Sequence, residues 1–258
     1  MKKTRRLLAL LLAMVMMLAL TVTAGAEEVT TTAAKSEITV IYTNDVHTYI
    51  DKTLSYATVS AMKQDYQKAG KQVLLVDAGD HIQGTAYGGM DEGKTIVQLM
   101  NAAGYDIATL GNHEFDYGMA RALATVQEAK FPYVSCNFYH EKNGVVGDPV
   151  LDSYKVFDMN GTKVAFVGIT TPESFTKSTP AYFQDANGKY IYGIAAGKDG
   201  SALYAAVQKA IDAASKEADY VIALGHLGID PSSKPWTSEE VIAHTMGLDA
   251  FIDGHSHS

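Results

Sequence analysis

Cysteine is nearly absent: Cys136 is the only one in 258 residues. A single thiol excludes an intramolecular disulfide, even in an oxidising compartment, and excludes a cysteine-ligated structural zinc site. Any bound metal must therefore be held by His, Asp, Asn or Glu. Cations are also scarce, with 21 Lys and Arg against 29 Asp and Glu and a net charge of −8. Four of those cations (Lys2, Lys3, Arg5, Arg6) and no acid lie in residues 1–26, so the remainder carries −12. So acidic a surface argues against a nucleic-acid polymer or an anionic membrane as main partner, though not against a small phosphorylated ligand held by metal ions. Long apolar runs are missing except near the start. That run, Leu7 to about Leu20, is shorter than the roughly 20 apolar residues that span a bilayer. With its basic start and Ala24-Gly25-Ala26 behind it, it predicts a secretory signal cleaved after Ala26. No stable membrane span is expected after cleavage, and the location implied is secreted, periplasmic or wall-associated. No cysteine follows the run to carry a lipoprotein anchor.

The rest is ordinary in bulk, 47% hydrophobic and 19% charged, enough for one sizeable core or two. Residues 27–37, rich in Thr, Ala and Glu, predict a flexible lead-in to a catalytic domain over 38–258. From there, β-branched apolar runs alternate with helical spacing. Strands are predicted at Ile38–Thr43, Val73–Val76, Ile107–Leu110, Tyr133–Ser135, Tyr220–Leu224 and Asp249–Ile252. Tyr154–Asp158 and Val164–Ile169, joined through Asn160-Gly161, predict a hairpin. Helices are predicted over Leu54–Ala69, Thr95–Ala103, Met119–Ala129, Ser201–Glu217 and Trp236–Met246. Residues 172–200, rich in Gly, Pro, Asn and Tyr, predict a long surface loop. This alternation implies an α/β layered domain.

The chemistry-bearing residues follow the strands. Asn44-Asp45-Val46-His47 follows the first, Gly79-Asp80 the second, Gly111-Asn112-His113 the third, Gly225-His226 a later one and Gly254-His255-Ser256-His257 the last. Asp45 and His47 are two apart, a spacing that on extended backbone points both side chains the same way. Five strand ends thus deliver Asp45, His47, Asp80, Asn112, His226, His255 and His257 to one sheet edge, where α/β folds place their sites. Mixed nitrogen and oxygen donors suit zinc, manganese or iron better than calcium. Seven ligands, with one carboxylate bridging, suffice for two ions. Of eight histidines, His81, His140 and His244 fall outside the motifs. His81 is expected to point away from Asp80 in a structural role, and Cys136 to be buried by a strand without catalytic work. Tyr182, Tyr190 and Tyr192 offer rings for base stacking, with surface packing as the plainer reading.

The set Thr43-Asn44-Asp45-Val46-His47, Gly79-Asp80 with Gly84, Gly111-Asn112-His113-Glu114-Phe115-Asp116-Tyr117-Gly118, Gly225-His226 and Gly254-His255-Ser256-His257 resembles the calcineurin-like metallophosphoesterases, within them the secreted 5′-nucleotidases. The resemblance implies a four-layer α/β/β/α sandwich with two mixed sheets. It implies one divalent ion at Asp45, His47, Asp80 and His257 and a second at Asp80, Asn112, His226 and His255, with zinc or manganese first and iron, cobalt or magnesium as alternatives. His113 and Asp116 match the family's catalytic dyad, and Glu114 is expected to be structural. Thr48 stands where relatives often have Gly. The family's catalytic domain continues beyond the position of Ser258 and is followed by a nucleoside-binding domain, so the resemblance implies a C-terminally incomplete fold. The implied activity is hydrolysis of nucleotide phosphate esters by metal-activated water. The family also holds 2′,3′-cyclic-nucleotide phosphodiesterases and UDP-sugar hydrolases, and a non-catalytic nucleotide-binding surface protein is a further alternative.

Overall fold

Strand β1, Ile38–Thr43, pairs in parallel with β2, Gln72–Asp77, from Ile38↔Gln72 to Thr43↔Asp77. These coordinates are a computed structural model, which describes residues 37–257. The expected signal segment and nearly all of the lead-in lie outside the described residues. Beside β2 run β3, Ile107–Thr109, and β4, Tyr133–Val134, also parallel, giving a first sheet in the order β1-β2-β3-β4.

Phe138–Lys142 (β5) and Val145–Pro149 (β6) form an antiparallel pair. Tyr154–Met159 (β7) then turns into Thr162–Thr170 (β8), the predicted hairpin, with β7 one residue and β8 three residues longer than the apolar runs alone suggest. Later come Tyr192–Ile194 (β9), Tyr220–His226 (β10) and Ala250–Ile252 (β11). The second sheet runs β11-β10-β8-β7, parallel except for the hairpin, and a third, small sheet runs β6-β5-β9.

Helices fill the connections: α1 Tyr56–Lys68, α2 Ala86–Gly89, α3 Lys94–Ala103, α4 Met119–Glu128, α5 Ser174–Lys177, α6 Ser201–Ala214 and α7 Ser238–His244. Local chemistry sets their ends. The Ser55 hydroxyl accepts from Thr58 N at the start of α1, and Thr237 does the same for Glu240 N at the start of α7. No helix among the described residues is long and apolar enough to cross a membrane.

The period-2 pattern of the strands builds the layers. Leu75, Ala108 and Tyr133 point to a cluster shared with Ile96 and Met100 of α3 and Ala122 of α4. Their chain neighbours Leu74, Val76, Ile107 and Val134 point the opposite way and meet Val164, Phe166 and Leu224 of the second sheet. Ala165, Val167, Val221 and Ala223 then face Leu203, Val207 and Ile211 of α6 and Val241 of α7. Alternation thus buries both faces of both sheets and gives the expected α/β/β/α order.

The segment 172–200 is not the plain surface loop its composition suggests. It contains α5, a 3₁₀ turn over Pro180–Phe183, and β9. Phe183 explains the difference: it is fully buried, with ring centroids 4.4 Å from Phe175 and 4.9 Å from Phe115. Tyr190 packs edge-on to Phe175 and Tyr192 against Phe138 and His140, which favours the packing reading of these rings.

Candidate metal centre

The two loops that leave β1 and β2 stay paired beyond the strands. Asp45 N donates to Gly79 O and His47 N to Asp80 O, each at 3.0 Å. Neither loop is extended, which corrects the reasoning from strand alternation. Asp45, His47, Thr48 and Asp80 take left-handed φ values of 49°, 45°, 60° and 60°, so Asp45 and His47 share a direction through backbone curl. His255 and His257, at φ 82° and 55°, do likewise. Thr48, β-branched and buried, is strained at such a φ, and its hydroxyl is held by Thr85 Oγ1 at 2.7 Å and Thr85 N at 2.8 Å.

Six of the seven expected ligands fall into groups of donor atoms, and Asn112, the seventh, is buried in the loop whose Gly111 packs on Asp80. Asp45, His47 and His257 form one group with donor atoms within 4.8 Å of one another, and Asp80, His226 and His255 form another. His47, Asp80 and His113 form a third that bridges them. His226 Nε2 lies 2.9 Å from Asp80 Oδ2, His257 Nε2 lies 3.5 Å from Asp45 Oδ1, and His47 Nε2 lies 3.1 Å from His257 Nε2. Asp80 is the carboxylate common to two groups.

Glu114 holds the two most buried loops together. Its fully buried carboxylate accepts from Asp80 N at 2.8 Å, His81 N at 2.9 Å and Gly111 N at 2.6 Å. The loops approach so closely that a Cβ at Gly79 would stand 2.5 Å from Gly111 N, and one at Gly111 would collide with Asp80 Oδ1. Phe115, in the same 3₁₀ turn His113–Phe115, anchors the turn below against Phe138 and Phe183. His81 points away from the donors, as expected. Its Nδ1 donates to Asp77 Oδ1 at 2.8 Å, and its Nε2 lies 2.7 Å from the Tyr133 hydroxyl. Burial opposes its charge, but the Glu114 and Asp77 carboxylates outweigh burial and push it up to about 9.

His113 Nδ1 donates to Asp116 Oδ2 at 2.6 Å, which pairs the expected dyad and leaves Nε2 as the exchangeable position. Burial works against the imidazolium, yet Asp116 and Asp80 raise its affinity for a proton above the ordinary value. The backbone N of His113 donates to Asp80 Oδ1 at 2.8 Å, joining dyad and shared carboxylate through one peptide.

The donor set fits divalent ions. Asn112 Oδ1 and His226 Nε2 are buried and lack an aligned hydrogen-bond partner among the described residues. An orphaned amide oxygen and an imidazole nitrogen facing a carboxylate would each cost stability unless something else satisfied them. His226 Nδ1 donates to Ala78 O at 2.6 Å, which fixes Nε2 as the inward donor. Burial disfavours charge on His226, but Asp80 and Asp45 overcome it and push it up to about 10. Asp80 is correspondingly held well below the usual carboxylate range: its burial works the other way, and His226 overcomes it.

Residues outside the centre behave plainly. Cys136 donates its backbone N to Gly168 O, and burial pushes its thiol up to about 12, too high for a nucleophile. His244 stacks on Tyr204, ring centroids 4.3 Å apart, on the surface of α7. One contributor carried no sequence signal: Glu173, whose Oε2 lies 2.7 Å from His255 Nε2. It sits just after β8 in a Thr-Thr-Pro-Glu stretch with no periodicity to mark it.

Comparison with known proteins agrees with this geometry. The sequence model described as "Calcineurin-like phosphoesterase" matches residues 38–258. A 5′-nucleotidase of Diplobatis ommata is 30% identical over 246 residues, covering 88% of this chain and 38% of that protein. A snake venom 5′-nucleotidase of Gloydius brevicauda is 27% identical over 243 residues, again covering 88% of this chain and 38% of the relative. The chain therefore spans less than two fifths of the length of these relatives. Among solved structures, the calcineurin-like phosphoesterase YfkN from Bacillus subtilis superposes with a TM-score of 0.67 at 27% identity, over 85% of this chain and 72% of that one.

Proposed function

The chain belongs to the calcineurin-like phosphoesterase family, and on that premise we propose that it hydrolyses nucleotide phosphate esters, 5′-nucleotides foremost. One ion is assigned to Asp45, His47, Asp80 and His257, the other to Asp80, Asn112, His226 and His255. The observation that carries this reading is the pair of donor groups meeting at Asp80, with the orphaned His226 Nε2 beside it and a second buried orphaned atom, Asn112 Oδ1, in the adjoining loop. The 5′-nucleotidase relatives support the substrate class. An extracellular location follows from the expected signal segment and fits the venom relative.

Bound divalent ions supply positive charge at the phosphoryl oxygens and an activated water for in-line attack. The chain's own residues do the rest. Asp116 holds His113 with Nδ1 protonated and turns Nε2 toward the reacting group. The raised proton affinity of His113 favours the protonated ring, from which Nε2 can stabilise charge on the phosphoryl group and protonate the leaving oxygen. Glu114 keeps the Asp80 and Asn112 loops in register, so the donors need little rearrangement before a phosphate ester arrives. Glu114 itself is fully buried and committed to backbone N–H groups, which removes it from proton transfer.

The test is phosphate release from AMP with added zinc or manganese, with 2′,3′-cyclic AMP and a UDP-sugar as comparison substrates. AMP should be the preferred substrate. His113→Ala should lower kcat about 10²–10⁴-fold with metal content unchanged. A wild-type rate in that variant would remove His113 from the mechanism, and preference for either comparison substrate would reassign the substrate.

A further inference from the structure

A sixth strand end reaches the centre. β8 is the neighbour of β10 in the second sheet, with Thr170 in register with His226. Just beyond it, Thr171 closes a turn: its carbonyl accepts from Ser174 N and Ser174 Oγ, and its hydroxyl accepts from Glu173 N. The turn projects Glu173 toward His255, which arrives after β11, 82 residues later. The Glu173 Oε2 to His255 Nε2 distance is 2.7 Å, and the two side chains are only 14% and 8% exposed. The same oxygen accepts from Ser233 Oγ at 2.8 Å, in the 3₁₀ turn Pro231–Ser233 that follows β10. Glu173 thus ties together the ends of β8, β10 and β11.

We propose that Glu173 is a positioning residue for the second ion. It accepts a hydrogen bond from His255 Nε2–H, fixes that tautomer and presents Nδ1 as the metal donor. A neutral histidine can carry its proton on either nitrogen, and only the unprotonated one can ligate. A carboxylate on the outer nitrogen decides which, locks the ring against rotation and strengthens the inner nitrogen as a donor. His226 gains the same fixation from Ala78 O. The two imidazoles assigned to one ion are therefore oriented by different means: a backbone carbonyl at 2.6 Å for His226 and a carboxylate at 2.7 Å for His255. Ser233 holds Glu173 in place, since its donated bond stops the carboxylate swinging away from the imidazole.

This inference rests on the two-ion reading above, and the experiment separates the two. The metal-free chain is titrated with Mn²⁺ alone, by calorimetry and by the manganese resonance signal, in wild type, Glu173→Ala and Glu173→Gln. Wild type should bind two equivalents. In Glu173→Ala one equivalent should weaken about 10–100-fold while the other is unchanged. Glu173→Gln keeps an acceptor oxygen and should recover most of the lost affinity. Two equivalents bound at wild-type strength by Glu173→Ala would overturn the positioning role and leave the two-ion reading standing, as would a glutamine variant no better than alanine. Fewer than two equivalents in wild type would overturn the two-ion reading and this inference with it. Nitrogen NMR of His255 in the wild-type metal-free chain needs no variant: an Nε2-protonated ring is expected, and an Nδ1-protonated ring would overturn the assignment.

Discussion

Around Asp80 the centre is closed, whereas at His257 it is open. Asp80, Asn112 and His226 are 1%, 2% and 0% exposed, while the His257 side chain is 59% exposed. The closed pole is fixed many times over. Glu114 gathers backbone N–H groups from both loops, the His113 backbone N holds Asp80 Oδ1, and Ala78 O orients His226. The open pole has fewer restraints: His255 N donates to both Asp45 oxygens at 3.0 Å, and His47 Nδ1 meets Gln83 O at 3.0 Å. The contrast shows how one site can be both preorganised and accessible. Rigidity is concentrated where the shared carboxylate sits, and exposure is left at the His257 side.

Three substitutions break or sharpen this contrast. Asp80→Ala removes the group common to both poles and should have the largest effect: loss of both ions, measured as metal per chain, and a fall in phosphate release beyond the roughly 10⁴-fold that loss of a general acid costs at most. Retention of one tightly bound ion would show that the poles are independent. Glu114→Ala touches no substrate, yet it strands four buried N–H groups at the closed pole, those of Asp80, His81, Ile82 and Gly111. Unfolding of the metal-free chain in urea should show a loss of at least about 3 kcal/mol, since each stranded group costs about 1–3. His257→Ala, at the open pole, should leave metal-free stability within about 0.5 kcal/mol, as expected for an exposed side chain. Equal losses in these last two variants would erase the distinction.

The parts of this design visible in the sequence are those carried by local pattern. The buried strands announce themselves because both faces are covered, which makes Val73–Val76 or Val164–Ile169 continuously apolar. The seven candidate ligands are marked by their place after those strands and the dyad of His113 and Asp116 by the family resemblance; the structure groups six of the ligands with His113, which Asp116 holds, and buries Asn112 in the adjoining loop. Strand alternation predicts the shared direction of Asp45 and His47, but left-handed backbone is what aims them. Tertiary context wrote the rest. β6 is exposed along its whole length and exists only as a partner for β5, so no hydrophobic alternation marks it. Segment 172–200 looked like a loop because its one decisive anchor, Phe183, sits among polar residues and finds Phe115 and Phe175 only in the fold. Glu173 is the sharpest case, its partners lying 60 and 82 residues away.

The central claim is that strand ends from both sheets assemble a two-ion site around Asp80. Crystals of the chain grown with manganese and measured at the manganese absorption edge test it most directly. The account predicts two anomalous peaks about 4 Å apart, one on either side of Asp80. The first should touch Asp45, His47 and His257, and the second Asn112, His226 and His255. A single peak, or peaks away from Asp80, would contradict it.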